Sequence, residues 1–325
     1  MKKKILISGC AGFIGNKLLR ELIKYKKYKL YGIDNINNYY KTSLKKNRLA
    51  LINDKNFTFY NIDICNKKKL ISNFKKNKYD YIFHLAAQAG VRYSIINPQK
   101  YFDSNIKGYF NILEACRLIN PKILFFASSS SVYGDLKKMP LKEKDNTDKP
   151  KSFYAATKKC NEIMSYSYHH IYKLKIVGLR FFTVYGPFGR PDMTPFSFLD
   201  NFFKKRIIRV FNRGNHQRDF TYIDDTVKSV IHLFKYYEKQ NKKHLFEIYN
   251  IARGKPEKLS TYISEIEKKM SLKLKKKYVK RQLGDVIKTY ASTKKINKII
   301  KYRPQINLKM GINHFIEWYK SYHNK

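Results

Sequence analysis

The chain has 325 residues, 43% of them hydrophobic, and its 68 Lys and Arg against 24 Asp and Glu give a formal net charge of +44. That apolar share excludes a disordered chain and is enough for one large domain or two smaller ones. No apolar run approaches the roughly 20 residues of a membrane-spanning helix. The cations are spread along the whole chain, with Lys, Asn, Ile and Tyr abundant together. They read as a solvated surface that attracts polyanions weakly, and no specific nucleic-acid or membrane partner is expected.

In chain order, MKKKILISGCAGFIG joins a basic start to an apolar run and so mimics a secretory leader. Glycine at every third position and the lack of a small-residue cleavage site argue instead for a first strand and a glycine turn in a mature cytosolic protein. Lys4 to Ser8 is that strand. Leu18, Leu19, Leu22 and Ile23 give Asn16 to Tyr25 helical spacing. Between them lies Gly9-x-x-Gly12-x-x-Gly15, with Phe13 and Ile14 inside it. Glycines let the backbone approach a pyrophosphate, and the helix N-terminus adds N–H donors and a positive dipole end. The next strand, Lys29 to Ile33, runs into Asp34, nineteen residues after Gly15. An acid there accepts from the adenosine ribose hydroxyls and repels a 2′-phosphate, so the expected cofactor is NAD.

The alternation continues with strands at Phe57 to Ile62, Tyr81 to Leu85, Ile123 to Ala127 and Lys175 to Leu179, and helical patterns lie between them. Asp63 and Ile64, just past the third strand, join the candidate cofactor contacts. The expected fold is α/β: a Rossmann-type doubly wound parallel sheet with a smaller mixed α/β substrate-binding lobe. Residues 1–180 form the nucleotide domain, 218–250 pack back on it, and 181–217 with 251–325 form the lobe. Tyr101 to Leu118 and Asn161 to Tyr172 read as long amphipathic helices, and Lys204 to Phe211 as a strand. The four cysteines, Cys10, Cys65, Cys116 and Cys160, form no C-x-x-C pair. That fits reduced thiols in a cytoplasm and argues against a zinc or disulfide framework, so no metal is expected.

Ser128-Ser129-Ser130-Ser131-Val132-Tyr133-Gly134 leaves directly from the strand ILFFA, and ligands of such sheets bind at the carboxyl ends of strands. Tyr154 and Lys158 follow, four apart on one helix face. A free tyrosine has a pKa of about 10. A neighbouring ammonium and a positively charged nicotinamide both favour its phenolate. Ser129, Tyr154 and Lys158 therefore form an acid–base set suited to oxidising an alcohol. Further on, FFTVYGPFGRPDM, from Phe181 to Met193, uses two Gly and two Pro to set one guanidinium, Arg190, in a loop.

At this point the sequence resembles the extended short-chain dehydrogenase/reductases along essentially its whole length. Five motifs resemble the UDP-glucuronate 4-epimerases of bacteria and plants within that family: HLAAQAGVRYS, ASSSSVYG, YAATKK, GLRFFTVYGPFGRPDM and RDFTYIDD. Phe188 stands where those enzymes usually carry Trp. The resemblance implies NAD-dependent C4 epimerisation of UDP-glucuronate to UDP-galacturonate through a 4-keto sugar, supplying galacturonate for a surface polysaccharide. It also implies that Arg190 holds the sugar carboxylate, that Thr183 lies near sugar and phosphate, and that Arg218 meets the diphosphate. Gln282 and Asp285 are implied nucleotide contacts, and the helices around 101–118 and 154–172 an implied homodimer interface. Guanidinium and carboxylate or phosphate meet in a two-pronged fork that lysine cannot reproduce.

Related dehydratases and decarboxylases carry carboxylates just before the V-Y-G; here Ser130 and Ser131 stand there, which leaves oxidation and return of a hydride as the chemistry. Cys160 is off the Tyr154–Lys158 face and reads as a core thiol. Two other readings remain open at this level: a 4-epimerase of neutral UDP-sugars, and a non-catalytic protein that binds NAD or polyanions.

Overall fold

Residues 2–240, 242–280 and 286–324 are described by the structure, a computed structural model. Seven strands form the main sheet: β1 (Lys3–Ser8), β2 (Tyr28–Asp34), β3 (Phe57–Asn61), β4 (Tyr81–His84), β5 (Ile123–Ser129), β6 (Ile176–Phe181) and, later in the chain, β10 (Phe246–Ile251). Their order is β10-β6-β5-β4-β1-β2-β3, and every neighbouring pair is parallel. Apolar side chains alternate between two cores. Ile5, Ile7, Leu30, Phe83 and Phe125 pack on one face; Leu6, Tyr31, Ile33, Ile82 and Leu124 pack on the other. Both faces are covered, which is why these strands read as continuous apolar runs. Each such large side chain contributes roughly 1.5–3 kcal/mol on burial.

The chain order turns back at β1. β1, β2 and β3 step one way, while β4, β5, β6 and β10 step the other. The crevice at the carboxyl ends of β1 and β4 is thus the topological switch point, where such sheets bind ligands. Ser8 and His84 close those two strands, and the Ser8 hydroxyl and His84 Nδ1 are 2.8 Å apart and buried.

Smaller sheets lie beyond β6. β7 (Thr183–Tyr185) pairs in parallel with β9 (Gln217–Tyr222), which pairs antiparallel with β11 (Pro256–Lys258). β8 (Ile208–Phe211) pairs in parallel with β12 (Lys276–Val279). Segment 218–250 is divided: β9 belongs to the small sheet, while the helix Ile223–Lys239 packs on the helix Phe13–Ile23 and β10 joins the main sheet.

Two elements differ from the sequence reading. The strand expected over 204–211 covers only Ile208–Phe211. The helix Thr194–Phe203 ends just before it, and Lys205 N and Arg206 N bond back to Phe202 O and Asn201 O, with Lys205 at φ 53°. The helix expected over 101–118 is broken by a π-helical turn, Phe102–Lys107, before the regular helix Gly108–Ile119. Asn105 explains the break. Its side chain accepts from Gln88 N and donates to Gln88 O, and its carbonyl accepts from Asn161 Nδ2. Such turns recur beside functional sites, and this one braces the AAQAG segment at the crevice.

Candidate active site

The glycine turn closes over the end of β1. Gly9 has φ 76°, and a Cβ there would lie 2.7 Å from Ala86 N. At Gly15 a Cβ would lie 2.2 Å from Gly9 O, so the turn and the helix Phe13–Ile23 meet only because that side chain is absent. Gly12 caps this helix without a side-chain hydrogen bond, leaving its first turn to offer N–H donors and a positive dipole end to an anion. At the end of β2, Asp34 accepts from Ala11 N at 3.1 Å and Ile36 N at 2.9 Å. Burial pushes its carboxyl above the usual range, against the pull of those amides and of Lys45 and Arg48. Asp63 is held by Cys65 N and Asn35 Nδ2 at 2.8 and 2.9 Å. A glycine cradle on a helix N-terminus, with an acid at the end of the next strand, fits NAD.

The catalytic candidates come from two elements. Ser129 ends β5, and its hydroxyl accepts from Ser131 N at 3.2 Å. Tyr154 and Lys158 lie on the helix Phe153–Tyr172, capped by Ser152, whose hydroxyl accepts from Ala155 N. Burial pushes the Tyr154 phenol up; the neighbouring Ser129 hydroxyl and the Arg190 guanidinium pull it back. Spacing alone gives that electrostatic role to Lys158, four residues on. In the structure Lys158 Nζ donates to Ala127 O at 2.8 Å, and burial lowers its pKa to about 8. Among the described residues, Arg190 is the cation whose charge pulls the phenol down.

Arg190 donates from Nε to Asp192 Oδ1 at 3.0 Å, from Nη2 to Asp192 Oδ2, and from Nη2 to Ala89 O at 2.9 Å. Asp192 also accepts from the Tyr39 hydroxyl at 3.0 Å.

One cleft of about 530 Å³ gathers the predicted residues. Gly9, Gly12, Phe13, Ile14, Gly15, Asp34, Asp63 and Ile64 line its nucleotide side, and Ser129, Ser130, Ser131, Tyr154, Lys158, Thr183 and Arg190 its reactive side. A second cavity of about 730 Å³ shares Ser130, Ser131 and Thr183 with it and extends to Arg218 on β9. Arg218 Nη1 donates to Gln217 O and Ile287 O, both at 3.0 Å. Gln282 and Asp285 lie outside the described residues.

Several residues of the site were missed in the sequence. Arg92 and Arg209 also line the second cavity, Arg92 with its guanidinium 4.5 Å from the centre of the Phe211 ring. Behind Ser129, Glu162 takes a two-pronged bond from Arg180, both arms at 2.8 Å, and the Ser128 hydroxyl at 2.6 Å. This pair is 3% and 4% exposed and locks the catalytic helix to β5 and β6. Glu162 stands four residues after Lys158, a spacing that could have drawn notice. Arg48 is fully buried, and no local spacing marks it in the sequence.

A model of the NAD dependent epimerase/dehydratase family matches residues 5–252. Protein CapI of Staphylococcus aureus is 44% identical, over 99% of this chain and 100% of its own. UDP-glucuronate 4-epimerase 4 of Arabidopsis thaliana is 41% identical, over 98% of this chain and 76% of its own. Among solved structures, UDP-glucuronic acid 4-epimerase from Bacillus cereus, in complex with UDP-glucuronic acid and NAD, superposes with a TM-score of 0.92. It shares 32% identity, covering 98% of this chain and 99% of that one. With this match and the cleft geometry together, the chain belongs to the NAD dependent epimerase/dehydratase family.

Proposed function

We propose that the protein is an NAD-dependent UDP-glucuronate 4-epimerase, converting UDP-glucuronate to UDP-galacturonate through a 4-keto sugar. The observation that carries this reading is the joining of two cavities at Ser130, Ser131 and Thr183. A nucleotide cradle opens on one side of that junction and an arginine-lined pocket on the other, with Tyr154 and Arg190 at the reactive end. The likeness to relatives that are UDP-glucuronate 4-epimerases supports the same substrate.

Bound NAD supplies acceptance and return of a hydride at the sugar C4. Tyr154 takes the proton from the C4 hydroxyl and gives it back to the C4 oxygen once the keto sugar has turned over and presented the opposite face of C4 for hydride return. Ser129 and Arg190 stabilise the phenolate that the proton transfer creates. Lys158, held on Ala127 O with a pKa of about 8, is placed to exchange a proton near neutrality. Ser130, Ser131 and Thr183 offer hydroxyls to the sugar, and positions 129–131 hold no carboxylate that would assist elimination. Arg190 receives the uronate carboxylate. The keto intermediate is a β-keto acid, which loses CO₂ when the C–CO₂ bond aligns with the ketone; a carboxylate held by hydrogen bonds is kept from that alignment. Arg218 receives the diphosphate.

The proposal extends to a cytoplasmic homodimer that supplies galacturonate for a surface polysaccharide. Phe110 and Leu118 on one helix, and Ile163, Tyr166 and Ile171 on the helix Phe153–Tyr172, are exposed apolar side chains that a second copy would cover. Product analysis with UDP-glucuronate tests the reading directly.

A further inference from the structure

Arg48 is a large, fully buried side chain, 0% exposed, and its hydrogen bonds run to neutral oxygens. Nη1 donates to Ala11 O at 3.0 Å, inside the glycine turn, and to the Tyr40 hydroxyl at 2.6 Å. Nε and Nη2 donate to Phe188 O at 3.2 and 2.7 Å, and Nη2 also reaches Gly189 O at 3.2 Å. The carbonyl of Arg48 accepts from Asn16 on the nucleotide helix at 2.8 Å. Phe188 has φ 58°, a left-handed conformation costly for a bulky residue, and Arg48 grips its carbonyl twice. Gly189 is followed at once by Arg190.

We propose that Arg48 is a positioning residue for the reaction: one planar guanidinium sets the Phe188–Gly189 turn against the glycine turn and so fixes where Arg190 stands relative to the cofactor. Five donors in a rigid fork can serve Ala11, Tyr40, Phe188 and Gly189 together; an ammonium on a flexible stem cannot. The inference deepens the proposed function, since it rests on Arg190 acting on the bound sugar.

The test is a double-mutant cycle on the NAD-loaded enzyme, with Arg48→Lys, Arg190→Lys and the pair assayed on UDP-glucuronate and UDP-glucose. Arg48→Lys is expected to lower kcat/KM for UDP-glucuronate by about 10- to 100-fold, the scale of a misplaced reactive group. In the Arg190→Lys background the same change should add less than about 2-fold, because both act through one group. Losses that multiply, or an Arg48→Lys enzyme with wild-type turnover, would overturn the proposal, since an arginine that only supports the fold acts independently of Arg190. If Arg48→Lys does not fold, Tyr40→Phe replaces it. It removes one acceptor, and its smaller loss must likewise vanish in the Arg190→Lys background. Equal losses on both sugars for Arg190→Lys alone would sink the carboxylate assignment and leave the coupling to be judged by the cycle. No loss at all for Arg190→Lys would overturn the coupling as well.

Discussion

Arg190 is forked onto Asp192, two residues along its own loop, with Nε 3.0 Å from Oδ1 and Nη2 bonded to Oδ2. The guanidinium proposed to hold a uronate already holds a carboxylate. Substrate must share or displace Asp192, so the side chain acts as an internal competitor and as a like charge beside the incoming acid.

Asp192→Asn removes that competitor. The pair is partly exposed, 19% and 29%, so its worth is small, up to ~1 kcal/mol. The expected result is a KM for UDP-glucuronate lowered by about 2- to 5-fold, with KM for UDP-glucose unchanged. Initial-rate kinetics on the two sugars check it, and a raised KM for the uronate would show that Asp192 steers Arg190 instead.

Tyr154→Phe removes the hydroxyl that moves the proton and leaves the ring in the cleft wall. Turnover should fall by roughly 10²- to 10⁴-fold, the usual contribution of a positioned acid–base group. Thermal shifts caused by NAD and by UDP-glucuronate should stay as in the wild type. Residual activity within a few-fold of the wild type would remove Tyr154 from the mechanism.

Lys158 gives a pH signature. Burial holds its folded-state pKa at about 8, while an unfolded lysine titrates near 10.4. Below about 8 both states carry the charge, and the folded state bears the full cost of burying it. Between the two values the unfolded chain binds more protons, so this group makes stability rise with pH. Lys158→Met in the NAD-free protein should gain stability relative to wild type at neutral pH, by at most about 3 kcal/mol. The gain should shrink as pH climbs towards about 10. Urea unfolding at several pH values reads the difference, and a gap that stays constant with pH contradicts the buried-cation account.

The dimer proposal turns on exposed apolar residues of the helix Phe153–Tyr172. Ile163 is 58% exposed and Ile171 59%. Replacing both with Lys should leave the folded monomer intact and abolish association. Light scattering should then move from twice the chain mass to the chain mass. A wild-type protein that is already monomeric at assay concentration disposes of the interface.

The sequence made the sheet legible because parallel strands buried on both faces leave uninterrupted apolar runs such as ILFFA and KILIS. It made Tyr154, Lys158 and the glycine turn legible because short spacings carry them. Arg48 was not legible, since its partners Phe188 and Gly189 lie 140 and 141 residues away. In a chain holding 68 Lys and Arg, one more cation in a helix draws no notice. The π-helical turn at Phe102–Lys107 was hidden for a similar reason: Asn105 is diverted by Gln88 and Asn161, contacts that local periodicity does not encode. The pairing of Lys158 with Ala127 O likewise depends on how the helix is set against β5. Spacing placed Lys158 beside Tyr154 but could not say where its ammonium points.

The most direct measurement is the product formed from UDP-glucuronate by the purified protein, with and without added NAD, resolved by chromatography and proton NMR. The account predicts UDP-galacturonate with no net NADH. UDP-xylose or a 4-keto pentose would contradict it by showing that Ser130 and Ser131 do not exclude decarboxylation, and turnover of UDP-glucose alone would contradict it by leaving Arg190 without a uronate to hold.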